Sequence, residues 1–131
     1  MFGHEMVYGL LGSYLTESNS EGMAMPTLTS YGAAQGVTGS RHLFTHEAQQ
    51  ILLDCGMFQG KRKESYDKSR HFGFPAAKVN AMILSHAHLD HCGAIPRLLA
   101  EGFAGSIHST PATKELTEYI PTHTNIPTYL R

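Results

Sequence analysis

The sequence has no tryptophan and only two cysteines among its 131 residues. Cys55 and Cys92 form neither a CxxC pair nor a disulfide framework. A small secreted domain held by cystines is therefore excluded, and a reducing, cytoplasmic setting is the simplest reading. No run of about 18 apolar residues occurs, which excludes a membrane-spanning helix. The N-terminal stretch Met1–Met25 lacks a basic segment followed by a continuous apolar core, so it does not read as a secretory signal. Charge is sparse and balanced. Ten Lys and Arg face eleven Asp and Glu, a formal net charge of −1. That excludes a global basic field for nucleic acid, although a local basic groove stays compatible with a neutral chain.

What the sequence does have is histidine, nine in all, in a chain that is 41% hydrophobic with 13 glycines. The length fits one globular domain. Residues 1–25 show no periodicity and end in a polar run, so they read as a partly helical or disordered extension. After Pro26 the pattern becomes that of strands. Thr27–Tyr31 alternates, Gly32–Gly39 reads as a glycine-punctuated turn, Arg41–Thr45 forms a second strand, and Ile51–Leu53 forms a third that ends at Asp54. Strands this close together predict an antiparallel meander. Gly60–His71 is polar and reads as a helix or an ordered loop. Val79–Leu84 is a buried strand, Ala94–Ala100 a short helix stopped near Gly102, and Ser106–Ser109 another strand. Thr110 caps a helix with Pro111 at its first position, running to about Tyr119. Pro121 and Pro127 mark the rest as loop. The expected architecture is α/β, one half of an αβ/βα sandwich: a β-hairpin meander followed by βαβα over residues 26–120, with a divergent tail at 121–131.

The strand Val79–Leu84 runs directly into His86-Ala87-His88-Leu89-Asp90-His91. Side chains two residues apart on an extended segment point to one side, so His86 and His88 converge beyond the strand's carboxyl end. Asp90 and His91 stand where the chain turns into a helix and can face a second point nearby. Imidazole and carboxylate are zinc donors, and a catalytic site leaves one position for water. Two such ions about 3.5–4 Å apart suit hydrolysis at phosphorus or at a carbonyl.

The loop His86–His91 resembles the second signature motif of the metallo-β-lactamase superfamily, and Asp54 resembles its first-motif aspartate. Tyr31–Arg41, Leu53–Gly60, His86–Pro96 and Thr110–Thr113 are together similar to the β-CASP nucleases of RNA processing, over a span from about Pro26 to Tyr119. The resemblance implies zinc-dependent hydrolysis of RNA phosphodiesters, by exo- or endonuclease action. His86 and His88 would bind one zinc, and Asp90 and His91 the other. Catalytic roles are implied for Asp90 and for Asp54, the latter orienting the loop by hydrogen bonds.

The family pattern also includes a third-motif histidine, a bridging aspartate and a β-CASP insertion, none of which is found here. His123 comes too early and in the wrong context for the third-motif ligand. Two ligands per zinc fall short of the usual three. A truncated product is therefore expected, inactive alone, with uncovered apolar faces that favour a homo-oligomer or a missing C-terminal half. Two other functions compete: a thioester or lactone hydrolase on the same fold, and an inactive remnant acting by protein binding. Lys61-Arg62-Lys63 with Lys68 and Arg70 could contact phosphates or simply form a solvated face. Gly32–Gly39 could approach a substrate or only serve a hairpin. His4, His42, His46, His71, His108 and Cys92 read as background.

Overall fold

A computed structural model describes residues 24–60 and 62–123. Five strands form one sheet in the order β1 (Thr27–Gly32), β2 (Arg41–His46), β3 (Gln49–Leu53), β4 (Ala81–Ile83) and β5 (Ser106–His108). The first three pair antiparallel, as the closely spaced alternating runs predict. The last two join parallel to β3 and to each other. A parallel neighbour requires a crossover, and the chain supplies one each time. α1 (Arg62–Arg70) and a 3-10 turn (Ala76–Lys78) lie between β3 and β4, and α2 (Leu89–Cys92) and α3 (Ile95–Ala100) lie between β4 and β5. α4 (Pro111–His123) follows β5.

The register explains which face is buried. Leu43, Leu52, Met82 and Ile107 are paired neighbours in one row across four strands. The first three are buried, and Ile107 on the edge strand is 40% exposed. Phe72, Phe74, Val79, Ile95, Leu98 and Phe103 complete a core on this side. Burying each such side chain contributes roughly 1.5–3 kcal/mol. Residues one step along each strand point the other way. On that face Leu28, Phe44 and Ile83 are exposed, so among the described residues the sheet has one covered side and one open side. This is the half-sandwich expected from the sequence.

One open alternative is decided and two expectations shift. Within the polar segment Gly60–His71 the chain forms the helix α1 over Arg62–Arg70, held by tertiary contacts because its own sequence has no apolar stripe. Ser69 is buried and its Oγ accepts the Phe58 N–H at 3.1 Å. The strand expected over Val79–Leu84 narrows to three paired residues. Helix α4 runs to His123 and so passes through Pro121. A proline near a helix end deletes one hydrogen bond but keeps a helical φ, so the helix continues. At its start, the Thr113 N–H donates to Thr110 Oγ1 at 3.3 Å, the expected cap. His4, Lys61, and the expected structure of residues 1–23 and 124–131 lie outside the described residues.

Candidate metal centre

The site is built where β3 and β4 end side by side. Leu53 pairs with Ile83, and the next backbone bond runs from Asp54 N–H to Ile83 O at 2.9 Å. Asp54 then turns sharply, with φ at +59°. An aspartate tolerates this left-handed conformation better than most residues. Beyond the turn, residues 55–57 run beneath the histidine loop. Cys55 N–H donates to His91 O at 2.7 Å, Met57 N–H to Leu89 O at 2.9 Å, and Ala94 N–H to Cys55 O at 2.9 Å. Ser40 joins from just before β2, its N–H donating to Asp90 O at 2.8 Å. The motif is thus stitched along its backbone to two distant segments.

The side chains gather on Asp54. His91 Nδ1–H donates to Asp54 Oδ2 at 2.8 Å. Ser85 donates twice, from its N–H to Oδ1 at 2.8 Å and from its hydroxyl to Oδ2 at 2.9 Å. Ser40 Oγ adds a longer contact at 3.4 Å. With Nδ1 engaged, His91 presents Nε2, which lies 3.6 Å from Asp90 Oδ2. Two ligands of one tetrahedral zinc, each about 2.0–2.1 Å from it, stand roughly 3.3 Å apart. The pair is therefore close to the spacing one ion requires. The His86 ring lies 4.7 Å from that of His88 and 4.0 Å from that of His91, centroid to centroid. His86 thus sits between its two expected groups, in contact with both.

The donor set fits zinc in kind, as imidazole and carboxylate, and in spacing for the His91–Asp90 pair. It does not close. Among the described residues, no three His, Cys, Asp or Glu side chains converge on a common point.

Several residues outside the motif belong to this neighbourhood. Ser85 is adjacent to the motif, and its position at a strand end was the available signal. His42, which reads as background in the sequence, bonds through Nδ1 to Ser30 Oγ at 2.8 Å. Burial lowers its pKa, while the charge of Asp54 raises it and His91 lowers it, so His42 stands within electrostatic range of the centre. Arg41 is fully buried below the site. Burial pushes the Cys55 thiol up to about 12 and the Cys92 thiol up to about 11, which keeps both protonated at neutral pH. Lys68 is engaged with Glu64 at 2.7 Å on the exposed side of α1. His108 bonds to Ser106 on the edge strand. The glycine-rich turn folds back on the chain, where Thr38 Oγ1 accepts the Gln59 N–H at 3.0 Å.

Known proteins place this geometry. The sequence pattern of the metallo-beta-lactamase superfamily matches residues 38–128. Ribonuclease TTHA0252 of Thermus thermophilus is 46% identical over 93 residues, covering 71% of this chain and 21% of the ribonuclease. Transcription termination factor FttA of Methanosarcina mazei is 34% identical over 91 residues, and Integrator complex subunit 11 of Danio rerio 35% over 94. The chain thus spans about a fifth or less of the length of these relatives. Among solved structures, YhfI of Bacillus subtilis, a metallo-beta-lactamase fold protein, superposes with a TM-score of 0.51 at 28% identity, covering 72% of this chain and 42% of YhfI. Strand order, metal loop and these matches agree: the chain belongs to the metallo-β-lactamase superfamily, among relatives of its β-CASP RNA-nuclease branch.

Proposed function

We propose that this chain carries the first two metal-site motifs of a two-zinc ribonuclease whose substrate is an RNA phosphodiester. The observation that supports this most is the Asp54-centred network at the carboxyl ends of β3 and β4, which holds His91 directly and His86 through Ser85, with Asp90 3.6 Å from the free nitrogen of His91. His86 and His88 would hold one ion, and Asp90 and His91 the other. When bound, zinc acidifies water to a pKa of roughly 7 and stabilises charge on the attacked oxygen. The chain's own part is positional. Asp54 holds the His91 ring with Nε2 outward, and the Ser40 and Cys55 bonds fix the backbone of Asp90 and His91. Acting through its neighbours, Asp54 is a positioning residue. The names of the relatives favour RNA over a thioester or lactone.

Four donors leave each ion one short of the three protein ligands of a catalytic zinc. The chain alone is therefore expected to bind zinc weakly and to leave RNA intact. Zinc titration by calorimetry, with His86→Ala and His88→Ala as controls, checks the first point. Zinc binding that ignores both substitutions would remove the metal reading. Robust RNA cleavage by the purified chain, abolished by His88→Ala, would refute the second. The substrate class is tested by exchanging the matching 93-residue segment of the Thermus ribonuclease for this one. The chimaera should cleave RNA and lose that activity with His88→Ala. Turnover of S-acyl thiols without RNA cleavage would overturn the assignment.

A further inference from the structure

We infer that Ser85 is a positioning residue that fixes which nitrogen of His86 is free to bind a cation. Its hydroxyl oxygen lies 2.9 Å from Asp54 Oδ2 and 2.9 Å from His86 Nδ1. A serine hydroxyl has one proton, and a carboxylate offers only acceptors. The proton must therefore point at Asp54. Toward His86 the hydroxyl can then only accept, so Nδ1 carries the ring proton and Nε2 is bare. The opposite assignment would set two lone pairs against each other at the Asp54 contact.

The same carboxylate oxygen receives Nδ1–H of His91 directly. Asp54 thus sets two imidazoles to the same tautomer, one by direct contact and one relayed through Ser85. Both rings present Nε2, and their centroids are 4.0 Å apart. Without the relay, His86 in water would favour the other tautomer, with its proton on Nε2. The Ser85 backbone N–H bond to Asp54 Oδ1 survives loss of the hydroxyl, so the relay can be removed while the main-chain link stays.

The inference concerns the site proposed above, and its value for zinc rests on that reading. The tautomer does not. The full chain, free of metal and labelled with nitrogen-15 on histidine, should show the His86 ring at neutral pH as the Nδ1–H form. Ser85→Ala should shift it toward the Nε2–H form, and Ser85→Thr, which restores a hydroxyl, should return it. Zinc affinity should fall roughly ten- to a hundredfold in Ser85→Ala and recover in Ser85→Thr. An Nε2–H ring in the unsubstituted chain would overturn the relay even if the alanine variant failed to fold. Unchanged tautomer and affinity in a folded Ser85→Ala would overturn it as well. The Nδ1–H form in a chain that binds no zinc would leave the relay standing and remove the metal reading instead.

Discussion

Gly56 lies so close beneath Asp90 that a β-carbon on it would fall on the Asp90 carbonyl oxygen. The contact is backbone against backbone, so no side chain can swing away to relieve it. The segment that carries Gly56 is also the one whose N–H groups hold the histidine loop in place. Gly56→Ala should therefore lift the loop and break the Cys55–His91 and Met57–Leu89 bonds. The expected cost is about 3 kcal/mol or more, at the upper end of overpacking effects. Gly36 is the internal control, because a methyl there meets nothing within 4 Å. Gly36→Ala should stay within about 0.5 kcal/mol of the parent. Thermal unfolding of the two variants side by side separates the outcomes, and equal melting temperatures would contradict the packing argument.

The sheet was legible where the sequence repeats with period two, and the loop His86–His91 was legible as the corner between a strand and a helix. The rest depends on contacts that no local pattern encodes. Helix α1 has no apolar stripe, and its support comes from Phe58 just before it and from Arg41, far away in the chain. Arg41 is read only as the start of a strand, and nothing local in the sequence shows that its side chain is fully buried. Ser85 and Ser40 are common residues whose part in the site comes from their distance to Asp54, a quantity fixed only by the fold. Pro121 illustrates a local stop signal overridden at the end of a longer helix.

Asp54→Asn should keep the fold and spoil the site. Asparagine is at home at the positive φ of this residue. Its amide, however, has one oxygen where the carboxylate has two. With the oxygen toward His91 and the Ser85 hydroxyl, the amide NH₂ confronts the Ser85 N–H. Turned around, it confronts His91 Nδ1–H and forces that ring to surrender its outward lone pair. Zinc affinity should drop ten- to a hundredfold, in the range of partners that orient metal-binding histidines. Circular dichroism and melting temperature should change little. A calorimetric titration showing unaltered zinc affinity would mean that Asp54 does not orient the loop.

The two thiols should resist modification while the chain is folded. Burial raises Cys55 to about 12 and Cys92 to about 11, against an ordinary value of 9.0. The thiolate is the reactive form, and the fold disfavours it. At pH 8 a thiol-specific reagent should label neither residue quickly in native conditions and both in denaturant. The linkage has a definite sign. Because the folded state keeps these protons longer than the unfolded chain, the contribution of the neutral thiols to stability is full below about 9. It is lost as pH rises from there through about 11 and 12. Cys55→Ala with Cys92→Ala should flatten this alkaline loss, measured as melting temperature from pH 8 to 10.5. Rapid native labelling of either cysteine would contradict the burial.

Arg41→Lys should be costly even though it conserves charge. The guanidinium donates from Nε to Gly56 O at 2.9 Å, from Nη2 to Ser69 O at 3.2 Å, and from Nη1 to Lys68 O and His71 O at 3.4 and 3.3 Å. It also stacks near Phe58 and Phe72, 5.1 and 4.7 Å from their centroids. One planar fork thus ties the segment beneath the metal loop to the carboxyl end of α1. An ammonium has three donors on a single atom and cannot reach carbonyls spread around the fork. At least one buried carbonyl would lose its partner, and the charge would be less well solvated by its surroundings. The expected loss is about 2–3 kcal/mol, or roughly 10–20 °C in melting temperature for a domain of this size. Lys68→Ala, on the exposed face of the same helix, should move it by no more than a few degrees. If Arg41→Lys melts with the parent, the fork is not what holds α1 under the site. The support must then come from Ser69 and its bond to Phe58, which Ser69→Ala would expose.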